Sequence, residues 1–142
     1  MPPVFQFKHR VTYAECTVGN HVYYSRYLDL LERARGEFFR NLNCSLAYWE
    51  GHDTAFPVLE CLLKYKSPAR YDDLLTIEVR LKHLEGIRLF FAHRIVTGEG
   101  KLVLEAETSH YCSSLNERPK RLPQEIQKKL EAYLNSGANP LG

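Results

Sequence analysis

The sequence predicts an α+β fold in which an antiparallel sheet of about five strands packs against one long helix. Two patterns carry this. Tyr24, Tyr27, Leu28, Leu31, Ala34, Phe38 and Leu42 recur at helical spacing, so one stripe of a long helix faces a core. Residues 5–13 and 58–112 instead alternate apolar and polar side chains with a period of two, the mark of half-buried strands. Short connections between the later strands make an antiparallel meander the simplest topology.

Phe5, Phe7, His9, Val11 and Tyr13 alternate with Gln6, Lys8, Arg10 and Thr12, giving the first strand. Ala14 to Asn20 is a loop in which Gly19-Asn20 suits an unusual backbone angle. The long helix is predicted from about Val22 to about Leu42, with Asn20 as N-cap. Its polar face carries Asp29, Arg33, Glu37 and Arg40, and Asp29 precedes Arg33 by four, the favourable order for a pair. A short helical piece is expected around residues 46–49. Val58 to Lys66 is strand-like, although Leu62-Leu63 blurs the alternation. Ser67 to Asp73 breaks the pattern. Leu75, Ile77, Val79 and Leu81 then alternate cleanly, as do Ile87, Leu89, Phe91, His93 and Ile95. Gly98-Glu99-Gly100 signals a hairpin, and residues 102–112 give the last strand. Pro123 to Leu134 reads as a surface helix with Pro123 in its first turn, and residues 136–142 as a frayed end.

The chain has 142 residues, enough for one domain with a core of its own. Its formal net charge of +2 gives no field for nucleic acid. The four cysteines, Cys16, Cys44, Cys61 and Cys112, form no Cys-x-x-Cys pair, which argues against a zinc site. The N-terminal residues lack a basic and then apolar leader, and no run reaches the ~20 apolar residues of a membrane span. A cytoplasmic setting with free thiols is the expectation. No metal and no cofactor are expected. The loop at the start of the long helix is where chemistry is expected, because helix N-terminal amides are unpaired and lie at the positive end of the dipole.

Three stretches carry a resemblance. The first runs from Arg10-Val11-x-Tyr13 through Asn20-His21-Val22-Tyr23-Tyr24-x-x-Tyr27-Leu28 to Glu32-x-Ala34-Arg35. The second is Tyr65-Lys66-x-Pro68-Ala69-Arg70-Tyr71-Asp72-Asp73-Leu74, and the third is Arg118-Pro119-Lys120-Arg121-Leu122-Pro123. In this order they resemble the 4-hydroxybenzoyl-CoA thioesterase family, the hotdog-fold acyl-CoA thioesterases. The resemblance implies a single hotdog domain over residues 1–142, in which the sheet wraps the long helix. It implies hydrolysis of an acyl-CoA thioester to free acid and coenzyme A, by a homodimer or homotetramer with sites between subunits.

The same resemblance implies roles for individual residues. The amide of Tyr24 would polarise the thioester carbonyl. Glu15 stands on the first acid of the family's Asp-x-Asp loop. Thr17 stands on the second, the family's catalytic carboxylate, so the standard mechanism does not transfer whole. A hydroxyl cannot replace a carboxylate as base or nucleophile without an activator. Glu15 is therefore the candidate to activate water or attack directly, with Thr17 and His21 positioning the nucleophile. Tyr23 would line the acyl pocket. Glu32 would assist binding or pair with Arg35. Lys66 and Arg70 would meet the phosphates of coenzyme A. Two rivals follow from the altered loop. One is an acyl-CoA or acyl-carrier binding protein without turnover. The other is a dehydratase-like enzyme using His21 with a carboxylate.

Overall fold

The computed structural model describes residues 4–138, with side chains described as far as residue 134. The elements are β1 (Phe5–Arg10), a 3₁₀ turn (Tyr13–Glu15), β2 (Cys16–Thr17), β3 (His21–Val22), α1 (Arg26–Asn41), α2 (Leu46–Gly51), β4 (Val58–Tyr65), β5 (Leu74–Glu85), β6 (Arg88–Thr97), β7 (Leu102–Tyr111) and α3 (Gln124–Ala138). Five strands form one antiparallel sheet in the order β1-β5-β6-β7-β4, and β2 pairs with β3 as a separate small ribbon. The α+β architecture expected from the two periodicities is present.

Only β5, β6 and β7 form the expected meander. β4 does not pair with β5, its neighbour in sequence, but with β7 at the far edge of the sheet. The reason is that β1 and β6 occupy both edges of β5. Residues 66–73 must therefore carry the chain across the sheet, and they pass over the start of α1. Val22 N–H donates to the Ala69 carbonyl at 2.8 Å, and Val11 N–H to the Asp73 carbonyl at 2.9 Å. Ala69 is fully buried beneath this crossing.

The core lies between the inner sheet face and α1. Leu75, Ile77, Val79 and Leu81 of β5 are fully buried, as alternation requires. Tyr27, Leu30, Leu31, Ala34, Phe38 and Phe39 of α1 face them. The expected stripe is thus displaced, because Tyr24 and Leu28 are exposed and Leu30 and Phe39 take their place inside. Phe38 meets Phe5, Phe39, Phe91 and Tyr133 edge-on. α1 lies over β5 and β1, on one side of the concave face. That offset leaves room between the helix and β4, β6 and β7.

Several boundaries differ from the sequence reading. Tyr13 does not extend β1, because the 3₁₀ turn carries it outward and leaves it 80% exposed. The helix begins at Arg26 rather than near Val22, since Val22 is paired in β3. Asn20 is therefore not the N-cap; it sits in the β2–β3 loop with φ +57°, and Ser25 precedes the helix instead. Arg33 does not pair with Asp29. Asp29 lies 3.8 Å from Arg26, and Arg33 turns towards β1. α3 is a packed helix rather than a surface one, since Ile126 and Leu130 are fully buried. Its backbone continues helically to Ala138, past the expected start of fraying at residue 136. Residues 139–142 lie outside the described chain.

Candidate active site

The start of α1 is held by a tight loop. Cys16 pairs with Val22 and Thr17 with His21 across a three-residue connection. Asn20 N–H closes the turn on the Thr17 carbonyl at 3.1 Å. Gly19 has φ +89°, where a side chain is strained, and a Cβ there would come within 3.3 Å of the His21 ring. Arg70 Nη1 donates to the carbonyls of Gly19 and Asn20 at 3.1 and 3.2 Å, and Tyr71 N–H donates to the Asn20 side chain at 3.2 Å. The crossing segment therefore clamps the loop from outside. Arg70 was expected at a phosphate, but this nitrogen of its guanidinium is spent on backbone.

The start of α1 leaves several backbone donors free. Tyr23 N–H is taken by the Glu15 carbonyl at 2.9 Å, and Arg26 N–H by the Tyr23 carbonyl at 2.9 Å. Among the described residues, Tyr24 N–H and Ser25 N–H have no acceptor. Tyr24 lines a cavity of about 420 Å³ together with Thr17, His21, Val22, Tyr23, Tyr27, Tyr65, Lys66, Ser67 and Pro68. Tyr65 crosses from β4 and donates its hydroxyl to the Tyr24 carbonyl at 3.1 Å. Tyr27 is buried against Tyr65, with ring centroids 5.7 Å apart, and burial raises its phenol pKa. Free amides at the positive end of a helix, facing a largely apolar cavity, can stabilise an oxyanion.

Glu15 does not line this cavity. The 3₁₀ turn swings its carboxylate back onto β1. Oε1 accepts from Thr12 N–H at 2.7 Å, and both oxygens lie 2.8 and 2.9 Å from His9 Nε2. Arg33 Nη1 donates to His9 Nδ1 at 3.2 Å, which leaves the imidazole proton on Nε2, facing Glu15. Partial burial pushes the Glu15 pKa up, but the bonds from Thr12 and His9 outweigh it, and the net shift is downward. This carboxylate ties the turn to Thr12 and to His9 of β1, away from the cavity where a water-activating group was expected. Thr17, His21, Tyr23, Tyr24 and Lys66 do come together at the cavity.

Glu32 lies elsewhere, on a cavity of about 270 Å³ further along α1, with Leu28, Leu31, Arg35, His93, Thr108 and His110. It does not reach salt-bridge distance of Arg35. Arg35 instead donates to the Phe56 carbonyl at 3.1 Å and to His110 Nδ1 at 2.9 Å, with its guanidinium 5.9 Å from the Trp49 ring. Sequence reasoning missed this cluster. The available signal was His93, a polar residue at an inward position of an otherwise apolar alternation. Among the described residues, no group of three or more histidines, cysteines or carboxylates is placed to hold a metal, and no helix is long and apolar enough to cross a membrane.

Comparison with known proteins gives a consistent result. Residues 11–130 match the model of the thioesterase-like superfamily. The chain is 35% identical over 124 residues to an acyl-CoA thioester hydrolase, YbgC, of Escherichia coli O6:H1, covering 87% of this chain and 92% of that one. It is 33% identical over 117 residues to the long-chain acyl-CoA thioesterase FadM of Escherichia coli K12, covering 80% and 87%. The crystal structure of a probable thioesterase from Bartonella henselae superposes with a TM-score of 0.80 at 31% identity, covering 85% of this chain and all of that one. On sequence and fold, the chain belongs to the thioesterase-like superfamily.

Proposed function

We propose that this protein hydrolyses acyl-CoA thioesters to the free acid and coenzyme A. The observation that carries the reading is the unpaired N–H of Tyr24, a residue that lines a cavity beside the helix start. A thioester carbonyl placed there would gain a hydrogen bond that strengthens as its oxygen becomes an anion. Water attacks the carbonyl carbon, and His21 takes its proton. Collapse of the tetrahedral intermediate expels the coenzyme A thiolate, which recovers that proton from His21. The Thr17 hydroxyl, opposite His21 across the ribbon, orients the water. Tyr23 flanks the acyl group, and Lys66, 3.8 Å from Glu105, supplies a cation for coenzyme A phosphates.

The sheet edge supports assembly with a second copy. β4 is exposed along nearly its whole length and carries Val58, Leu59, Leu62 and Tyr65, each about half exposed. An apolar edge strand of this kind invites pairing. Pairing with a second copy as a homodimer or homotetramer would cover it and close the mouths of both cavities. All four cysteines are free, in keeping with a cytoplasmic setting.

One observation favours a second reading, a binding protein without turnover: no carboxylate lines the cavity beside Tyr24. Thiol release from short, long and aromatic acyl-CoAs separates the two. The hydrolase reading expects turnover that His21→Ala lowers about 10²-fold. Ligand binding with no thiol release from any substrate would establish the binding protein.

Glu15→Gln should retain turnover within a few-fold and lose about 1–2 kcal/mol of stability, the scale of a charge-assisted bond. Thiol release and thermal melting on the same sample check this. A collapse of turnover without loss of stability would return the catalytic role to Glu15.

A further inference from the structure

The cavity beneath the middle of α1 has a wall whose hydrogen bonds run in one direction. Arg35 donates to His110 Nδ1, so the proton of the neutral imidazole is on Nε2, 3.0 Å from Thr108 Oγ1. That oxygen is an acceptor for His110. Its own proton is left for His93 Nε2, 3.4 Å away. His93 then carries its proton on Nδ1; the Glu78 carbonyl is near enough to act on the ring but not within hydrogen-bond geometry, so this buried atom has no full hydrogen bond. A buried donor left unpaired costs free energy that a ligand oxygen would recover. Arg35 itself has no carboxylate within salt-bridge distance among the described residues, and Glu32 makes no hydrogen bond or ion pair there.

This cavity follows the first along the seam between α1 and β4. Tyr24 and Tyr65 border the first, and Leu28 and Cys61 the second. Glu32 is eight residues beyond Tyr24, or about 12 Å along the helix axis. A chain with its carbonyl at the Tyr24 amide would pass Leu28 and Leu31 and end among Glu32, Arg35 and His93. We propose that the acyl group of the substrate is of medium length and carries a hydroxyl at or near its far end. This deepens the hydrolase reading and rests on it. A plain alkyl end would leave the His93 donor unpaired, and a carboxylate end, though drawn to Arg35, would meet a guanidinium whose Nη1 is already engaged by Phe56 and His110 and would face both Asp29 and Glu32. A hydroxyl accepts from His93 and donates to Glu32.

The test compares medium-chain acyl-CoAs matched in length and ending in methyl, hydroxyl or carboxylate. Wild type is measured beside His93→Leu and Glu32→Leu, by kcat/KM and by calorimetric binding of the non-hydrolysable thioether analogues. Wild type should favour the hydroxyl chain by at least about tenfold, since sites built for a hydroxyl discriminate against analogues that lack it. Each variant should bring the ratio near one. Glu32 is on the surface, so Glu32→Leu carries the test if His93→Leu does not fold. Equal handling of methyl and hydroxyl chains, a preference for carboxylate, or a hydroxyl preference untouched by either folded variant would overturn the proposal. Absence of thiol release with the thioether preference intact would remove the hydrolase reading while supporting the pocket assignment.

Discussion

Tyr24→Pro should lower kcat by about 10²–10³-fold, the cost of losing one oxyanion donor, while the protein still folds. Proline deletes the N–H and little else that the fold uses. Tyr24 N–H has no acceptor in the structure, so no internal hydrogen bond is lost. The position lies just before α1, where a proline is compatible with the following helix. The bond that Tyr24 does make, from the Tyr65 hydroxyl to its carbonyl, survives the substitution. Tyr24→Ala separates the amide from the ring. It removes the phenol and its packing on Tyr23, 4.6 Å away between centroids, but keeps the N–H. Single-turnover kinetics should show Tyr24→Ala much closer to wild type than Tyr24→Pro. Equal losses in the two variants would locate the contribution in the side chain and end the oxyanion assignment. Ser25 N–H remains in both, which is why the loss is expected to be large but not complete.

The existence of the long helix was legible from sequence because its apolar spacing records a buried face, although its start lies at Arg26 and not near Val22. The later strands were legible for a similar reason: inward positions of β5 and β6 must be apolar, and alternation records that directly. The partner of β4 was not legible. Its alternation is blurred at Leu62-Leu63 because an edge strand exposed along nearly its whole length buries little on either face. Period gives a strand its faces but not its neighbour. The direction of the Glu15 side chain was not legible, because reach along the chain does not give direction. The 3₁₀ turn sends its carboxylate to His9, six residues earlier, and away from the cavity. A local signal existed in Thr12-x-x-Glu15, the spacing at which a carboxylate returns to the backbone N–H three residues before it. Arg35 and His110 are 75 residues apart, and no local pattern could join them. What the sequence did show was a histidine on an apolar face, and a histidine there must be explained by a partner.

Those buried histidines should make stability fall steeply as the solution is acidified from pH 7 to pH 5. Burial drives the His110 pKa down to about 3, helped by the Arg35 charge, and burial drives His93 down to about 4. In the unfolded chain both would titrate near 6.5. Between these limits the unfolded state binds more protons than the folded one, so stability rises with pH and is lost on acidification. At pH 5 each imidazole withholds a proton that the unfolded chain would take, a cost of about 2 kcal/mol per histidine. Together they should lower the melting temperature by about 10 °C between pH 7 and pH 5. Glu15 acts in the same direction but lower down. Its depressed pKa adds stability that disappears only as the pH falls below the ordinary carboxylate range. His110→Asn keeps an acceptor for Arg35 and removes one of the two imidazoles, so it should halve the drop. Differential scanning calorimetry across this range decides the matter. A melting temperature that stays flat would mean that both rings accept protons in the folded state. The directed donor chain from Arg35 to His93 could not then exist, because a doubly protonated His110 has no lone pair for Arg35.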